Sequence, residues 1–104
     1  MTGLIFHDDV VDGATVLAVT GEIDMQTVDE LRAKVDDLDV AHQALVLDLH
    51  GVAFVDSSGL GGLLGIKKQQ DRAGGTLRLT RVSPAVTRII TITKMDRVFG
   101  LSEE

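Results

Sequence analysis

Hydrophobic and polar positions fall into blocks whose period changes along the chain, and the changes locate the elements. Leu4–Asp8 and Thr15–Thr20 are rich in apolar and β-branched residues with the turn signal Asp12-Gly13 between them, which predicts two antiparallel strands of a hairpin. After Gly21 the period lengthens. Val28, Leu31, Val35 and Leu38 recur at steps of three and four, predicting an amphipathic helix with its charges outward, and Thr27 and Glu30 have the spacing of a capping box. Ala44–Leu49 is almost continuously apolar, as in a strand buried on both faces. Leu60, Leu63 and Leu64 then return at helical spacing, the helix ends near Arg72-Ala73, and Gly74-Gly75 supplies a left-handed exit before a strand at Thr76–Thr80.

The last third mixes its signals. The β-branched run Thr87–Thr93 favours a strand, whereas Ser83-Pro84 has the form of a helix cap with proline in the first turn, and Val86, Ile89 and Ile90 share one helical face. The cap and the shared face decide for a helix. A short strand is expected around Val98–Leu101, before Ser102-Glu103-Glu104 closes the chain. The whole pattern predicts one α/β domain over residues 1–104, with a mixed four- or five-stranded sheet packed with helices.

The junction Asp56-Ser57-Ser58-Gly59 lies where the buried strand gives way to the glycine-rich helix. Unpaired N–H groups and the positive end of the helix dipole there favour an oxygen acceptor, or a phosphate if one is added. A serine in such a position ordinarily caps the helix and does nothing else. Gly59, Gly61, Gly62 and Gly65 follow, and at roughly 0.8–1 kcal/mol each they weaken this helix by about 3 kcal/mol relative to alanine. Two physical reasons offset that. Close packing of helix on sheet is one; a smooth exposed face on which a partner can sit near Ser57, so that a bulky residue at Gly61 or Gly62 would block it, is the other.

Composition narrows the chemistry. A chain of 104 residues, 44% hydrophobic, supports one core and one domain. With no cysteine there is no disulfide or thiol chemistry, and His7, His42 and His50 lack metal-ligand spacing, so neither metal nor cofactor is expected. The net charge of −6 argues against nucleic-acid and anionic-membrane partners and leaves room for a basic protein. Neither a signal peptide nor a membrane-spanning run is visible, and a cytoplasmic protein is expected. A serine hydrolase would want a G-x-S-x-G elbow and a later histidine, but no glycine stands two residues before either serine and no histidine follows His50. The glycines also lack P-loop spacing. An enzyme is therefore not expected. A receiver-like domain, phosphorylated on Asp56 or Asp48 beside the acidic pair Asp8-Asp9, is the stronger rival; it would enter a helix after that pair, where this chain turns through Asp12-Gly13 into another strand.

The segment V-L-D-L-H-G-V-A-F-V-D-S-S-G-L-G-G-L-L-G, residues 46–65, resembles the signature of the STAS family, the anti-sigma factor antagonists. Thr20-Gly21-Glu22-Ile23-Asp24, Gly74-Gly75 and Val82-Ser83-Pro84-Ala85-Val86 are similar to further segments of that family, and the resemblance covers nearly the full chain. It departs at Lys94, where the family usually has a glycine ending the helix. The resemblance implies a binding protein that, unphosphorylated, binds an anti-sigma factor with serine kinase activity and releases a sigma factor. Phosphorylation by that kinase would switch it off, and a serine phosphatase would reset it. The serine directly after the aspartate falls on Ser57, with Ser58 as cap candidate and second choice; the expected partner-binding residues are Asp24, Asp56, Ser57, Ser58, Gly59, Gly61 and Gly62. Within the same family a ligand-sensing or scaffold module is the alternative.

Overall fold

Asp12 and Gly13 both take positive φ, 52° and 82°, the combination that matches a two-residue turn to the twist of its strands. The chain reverses there as the sequence predicts. A computed structural model describes residues 3–100. It contains β1 (Ile5–Val11), β2 (Ala14–Ile23), α1 (Val28–Leu38), β3 (Ala44–Val55), α2 (Ser57–Arg72), β4 (Thr76–Thr80) and α3 (Pro84–Ile92). The strands form one sheet in the order β1-β2-β3-β4, with β1 antiparallel to β2 and the other neighbours parallel. The sheet is thus mixed, with four strands among the described residues.

The core begins with leucines in register: Leu17, Leu47 and Leu79 face one another across β2, β3 and β4, and all are buried. Helix α2 packs on these strands and on α1, burying Leu60, Leu63 and Ile66 against Leu31 and Val35 of α1. Each such side chain removed from water contributes about 1.5–3 kcal/mol. Helix α3 packs beside β3 and adds Val86 and Ile90. Its start is the expected one, since Ser83 Oγ accepts a hydrogen bond from the Val86 N–H at 3.3 Å and Pro84 opens the first turn. The β-branched run that follows is helical although Ile92 is 70% exposed, because Ile90 is buried and Ile89 packs beside it against the core, and burial of that one face outweighs propensity.

Three expectations need correction. Strand β3 runs to Val55 rather than ending at Leu49. Its register against β2 slips by one residue twice, between Ala18 and Thr20 and between Gly21 and Glu22, so β3 carries two bulges. They break the period of two that marks a strand in sequence. The capping box does not form: the Thr27 side chain donates to the Glu22 carbonyl at 2.6 Å, and Glu30 accepts from the Leu4 N–H at 3.0 Å. No strand forms at Val98–Gly100, where turns bury Phe99 in the core; Leu101 and the three residues after it lie outside the described residues. Lys94, finally, does what the family's glycine does, with φ at 62° after α3.

Gln70 is a buried polar anchor that no pattern revealed. Its side-chain amide donates towards the carbonyls of Val40, Gln43 and Thr76 at 3.2–3.3 Å, tying the end of α2 to the loop before β3 and to β4.

A second anchor joins β3 to the turn after β4. Arg81, itself at φ 54°, donates to both oxygens of Asp48 at 2.8–3.2 Å, and the His50 N–H adds a hydrogen bond at 3.0 Å. The Arg81 hydrogen bonds hold the Asp48 carboxyl below its ordinary value of 3.8, against the opposing effect of burial. A carboxylate whose pKa is lower in the folded state adds stability above its unfolded value and loses it as the pH falls through the folded one. Arg81→Ala should therefore lower the melting temperature by about 2–5 °C near pH 7, and the gap should close on acidification to about pH 2. Thermal melts by circular dichroism across that range check it, and a gap independent of pH would refute the pairing.

Candidate functional site

The site is built where the parallel strands end. Between Val55 and the first residue of α2, Asp56 is extended (φ −92°, ψ −175°), and its Oδ1 accepts a hydrogen bond from the Gly59 N–H at 2.7 Å. Its Oδ2 accepts from the Met25 N–H at 3.4 Å, and its own N–H donates to the Ile23 carbonyl at 3.2 Å. One aspartate thus caps α2 and fastens it to the loop after β2. Ser58, expected as the cap candidate, is not the cap.

Ser57 and Ser58 are the first two residues of α2 and both are exposed. Neither hydroxyl, and neither backbone N–H, hydrogen-bonds another described residue. With the capping position filled by Asp56, the usual structural explanation for a serine here does not apply. Two hydroxyls and two amide donors stand open to solvent at the positive end of a 16-residue helix.

The loop opposite is shaped by Asp24, whose Oδ1 accepts from the Gln26 and Thr27 N–H groups at 2.9 and 3.1 Å. It acts there as the turn residue that starts α1. Met25 is thrust outward and is 71% exposed, and Phe54, two residues before Asp56 on the second bulge of β3, is 44% exposed. Met25 is joined to Asp56 through its N–H and Phe54 precedes Asp56 by two residues, so both exposed apolar residues belong to the segments that meet at the junction. Sequence reasoning missed both, because a single exposed Met or Phe has no periodic signature and only the fold brings these two to one place.

The four glycines divide. Gly59 and Gly62 are buried, and a Cβ would collide with the Ile23 carbonyl at the first and with Val28 Cγ2 at the second. Their expected role as a partner-facing surface is corrected on this point: both let α2 approach β2 and α1. A Cβ at Gly61 meets nothing within 4 Å, and at Gly65 it meets only the end of the Arg32 side chain. Gly61 is the member of the predicted set that lies on the open face with Ser57 and Ser58.

Other chemistry finds no assembly among the described residues. The acidic pair does not converge on Asp48 or Asp56, because Asp8 and Asp9 lie on β1 at the edge of the sheet and Asp48 is held by Arg81. A cleft of about 520 Å³ opens beside residues 20–27, lined by Glu22 and Asp24 and by no Lys or Arg, an electrostatic lining unsuited to a nucleotide phosphate. Among the described residues no acidic or histidine cluster has metal-binding geometry, and no helix is long and apolar enough to cross a membrane.

Comparison with known proteins accords with this geometry. A family model described as STAS domain matches residues 6–104. The anti-sigma F factor antagonist of Paenibacillus polymyxa is 32% identical over 91 residues, 86% of this chain and 78% of that protein. The anti-sigma-B factor antagonist of Bacillus subtilis is 32% identical over 84 residues, 81% of this chain and 77% of that protein. The crystal structure of an anti-sigma factor antagonist from Mycobacterium paratuberculosis superimposes with a TM-score of 0.73 at 32% identity, covering 92% of this chain and 82% of that one.

The division among the glycines can be measured. Gly59→Ala, meeting a backbone carbonyl, should destabilise the fold by about 1–3 kcal/mol, whereas Gly61→Ala should stabilise it by up to about 1 kcal/mol. Urea unfolding of the two variants reads both signs. Equal effects would mean that the first turn of α2 does not pack as described.

Proposed function

The chain belongs to the STAS domain family, and from that premise we propose that it is an anti-sigma factor antagonist switched by phosphorylation of Ser57. Unphosphorylated, it binds an anti-sigma factor that is also a serine kinase, and a sigma factor is released. The kinase transfers the γ-phosphoryl group of ATP to Ser57 Oγ, leaving ADP; the complex dissociates, and a serine phosphatase hydrolyses the phosphoserine. ATP belongs to the kinase, so the cycle asks no cofactor of this chain. It runs in the cytoplasm and involves neither nucleic-acid nor membrane contact by this domain.

The observation that carries this reading is that Asp56 does the capping, which leaves Ser57 and Ser58 exposed and without hydrogen-bond partners among the described residues. A serine that holds nothing in the fold can accept a phosphate without unfolding it. Ser57 has precedence over Ser58 because it directly follows the aspartate, as in the family motif. A phosphate carries about −1.5 to −2 charges at pH 7, and the open N–H groups of Ser57 and Ser58 with the helix dipole receive it in place. The added charge lies beside Asp56 in a chain already at −6. The switch therefore places an acidic group of the partner opposite Ser57, whatever the partner's net charge, because like charges set against one another cost several kcal/mol and each 1.4 kcal/mol is a tenfold loss of affinity. Met25 and Phe54 supply apolar contact area next to the switch, and Gly61 keeps the helix face low enough for a partner's backbone. No acid or base hydrogen-bonds either serine, which favours binding over catalysis.

Four outcomes test the proposal. Incubation with ATP and the cognate anti-sigma factor should add one phosphate to Ser57, seen by phosphopeptide mapping, and none to Ser57→Ala. Full phosphorylation of Ser57→Ala would move the site to Ser58. Since Ser57 is not the cap, Ser57→Ala should keep its melting temperature within about 4 °C and retain binding. Ser57→Asp should bind the anti-sigma factor at least about tenfold more weakly in calorimetry, at nearly unchanged stability; equal affinity refutes an electrostatic switch. Met25→Glu, at an exposed residue beside Asp56, should weaken the same complex by about 1–2 kcal/mol, and undiminished binding would exclude the loop from the interface.

A further inference from the structure

Strand β1 ends the sheet, and among the described residues it pairs with β2 alone, so its outer edge is open. Natural edges are commonly blunted by being short, bulged, broken by proline or charged, and of these devices β1 has only the charges of Asp8 and Asp9. This one has seven residues in unbroken register with β2, and Ile5, Val10 and Val11 are 68%, 68% and 50% exposed. Pairing with β2 assigns the faces. Phe6, Asp8 and Val10 stand opposite Val19, Leu17 and Thr15 on the side where Lys34 of α1 reaches Asp8 at 3.3 Å; Ile5, His7, Asp9 and Val11 occupy the other side.

The order of residues on this strand is self-complementary. If a second β1 is laid antiparallel with the two-fold axis at Asp8, Ile5 faces Val11 of the second copy, Phe6 faces Val10, and His7 faces Asp9. Apolar meets apolar on both faces, and each imidazole meets a carboxylate. Asp8 meets its own copy, the one like-charge contact, but each brings a Lys34 ammonium with it. Moving the axis by one residue, the nearest register that keeps the outward N–H groups paired, destroys the match: one way sets Phe6 against Asp8 and Ile5 against Asp9, the other sets Asp8 against Val10 and Asp9 against its own copy. Such dependence on register is what specifies strand pairing.

Backbone donors are available in the same phase. The Val10 N–H donates to the Asp9 side chain at 2.8 Å, so it points away from β2, and by the alternation of a strand the N–H groups of Phe6 and Asp8 face outward with it. From these observations we propose that two copies of this chain associate through β1, joining their sheets into one. Asp9 guards the edge in the single chain by occupying the Val10 N–H. In the pair that N–H turns to the Phe6 carbonyl of the second copy, and the Asp9 carboxylate turns to His7. Strand β2 separates β1 from β3, so the Ser57 junction of each copy stays accessible.

Sedimentation equilibrium from about 10 µM to about 1 mM protein tests the association. The weight-average mass should rise from that of one chain towards twice that value. His7→Asp, which sets carboxylate against carboxylate at both ends of the pairing, should raise the dissociation constant about tenfold, and the exchanged variant His7→Asp/Asp9→His should restore it. Circular dichroism melts of both variants establish that each is folded. A single-chain mass at every concentration overturns the proposal, as does a dimer indifferent to His7→Asp or one that the exchanged variant fails to recover.

Discussion

The first turn of α2 lies against the end of β2 with no room for a side chain between them. The Ile23 carbonyl accepts the Asp56 N–H at 3.2 Å and occupies the space where a Cβ of Gly59 would stand. This contact sets the helix start, and the other features of the junction follow from it. Asp56 is extended because the helix begins one residue later; its carboxylate is then placed to cap Gly59 and to hold Met25. With the cap supplied from the loop side, the serines after it are free of structural duty. The weak propensity of the glycine-rich helix is mostly explained by packing at Gly59 and Gly62. Gly61 keeps its full cost of roughly 1 kcal/mol with no internal contact to account for it, and that unrecovered cost is the physical reason to assign the exposed face a partner.

A charge switch at a helix start is compatible with a stable fold because the helix terminus already favours negative charge. The Asp56 carboxylate exploits that field, yet its two oxygens are directed to Gly59 and Met25, leaving the N–H groups of Ser57 and Ser58 open. An added phosphate and the Asp56 carboxylate are therefore served by different donors. The core beneath, with Leu60 and Leu63 buried on the inner side of the same turns, takes no part in binding either anion.

Elements with a clean period were legible in the sequence: the hairpin, α1, the apolar half of β3, β4 and the extent of α2. The overridden signals share a cause. Bulges hide the second half of β3 because two extra residues shift the alternation, leaving His50, Gly51, Ala53 and Phe54 outward while Val52 and Val55 turn in. Thr27 and Glu30 have the spacing of a capping box, but longer-range partners, the Glu22 carbonyl and the Leu4 N–H, take them instead. Phe99 reads as part of a strand and is a core plug at the end of a turn. At the site, the motif located the junction, while the assignment of the cap to Asp56 rather than Ser58 required knowing where the Gly59 N–H points.

The mixed topology also separates the surfaces of the molecule. Strands β2 and β3 run parallel and bring their carboxyl ends, Ile23 and Val55, to one edge of the sheet, where the loop 24–27 and the start of α2 meet. Carboxyl ends of parallel strands are where α/β sheets build their sites, because each strand there hands over to a loop and a helix N-terminus. Strand β1 runs the other way and contributes only its beginning to that region, so its length lies along the side of the sheet. A change at Ser57 thus acts on donors at one end of the sheet, while the β1 edge presents backbone donors at a side whose register depends on β2 alone. The two surfaces share a scaffold without sharing a residue, so each can be altered without dismantling the other.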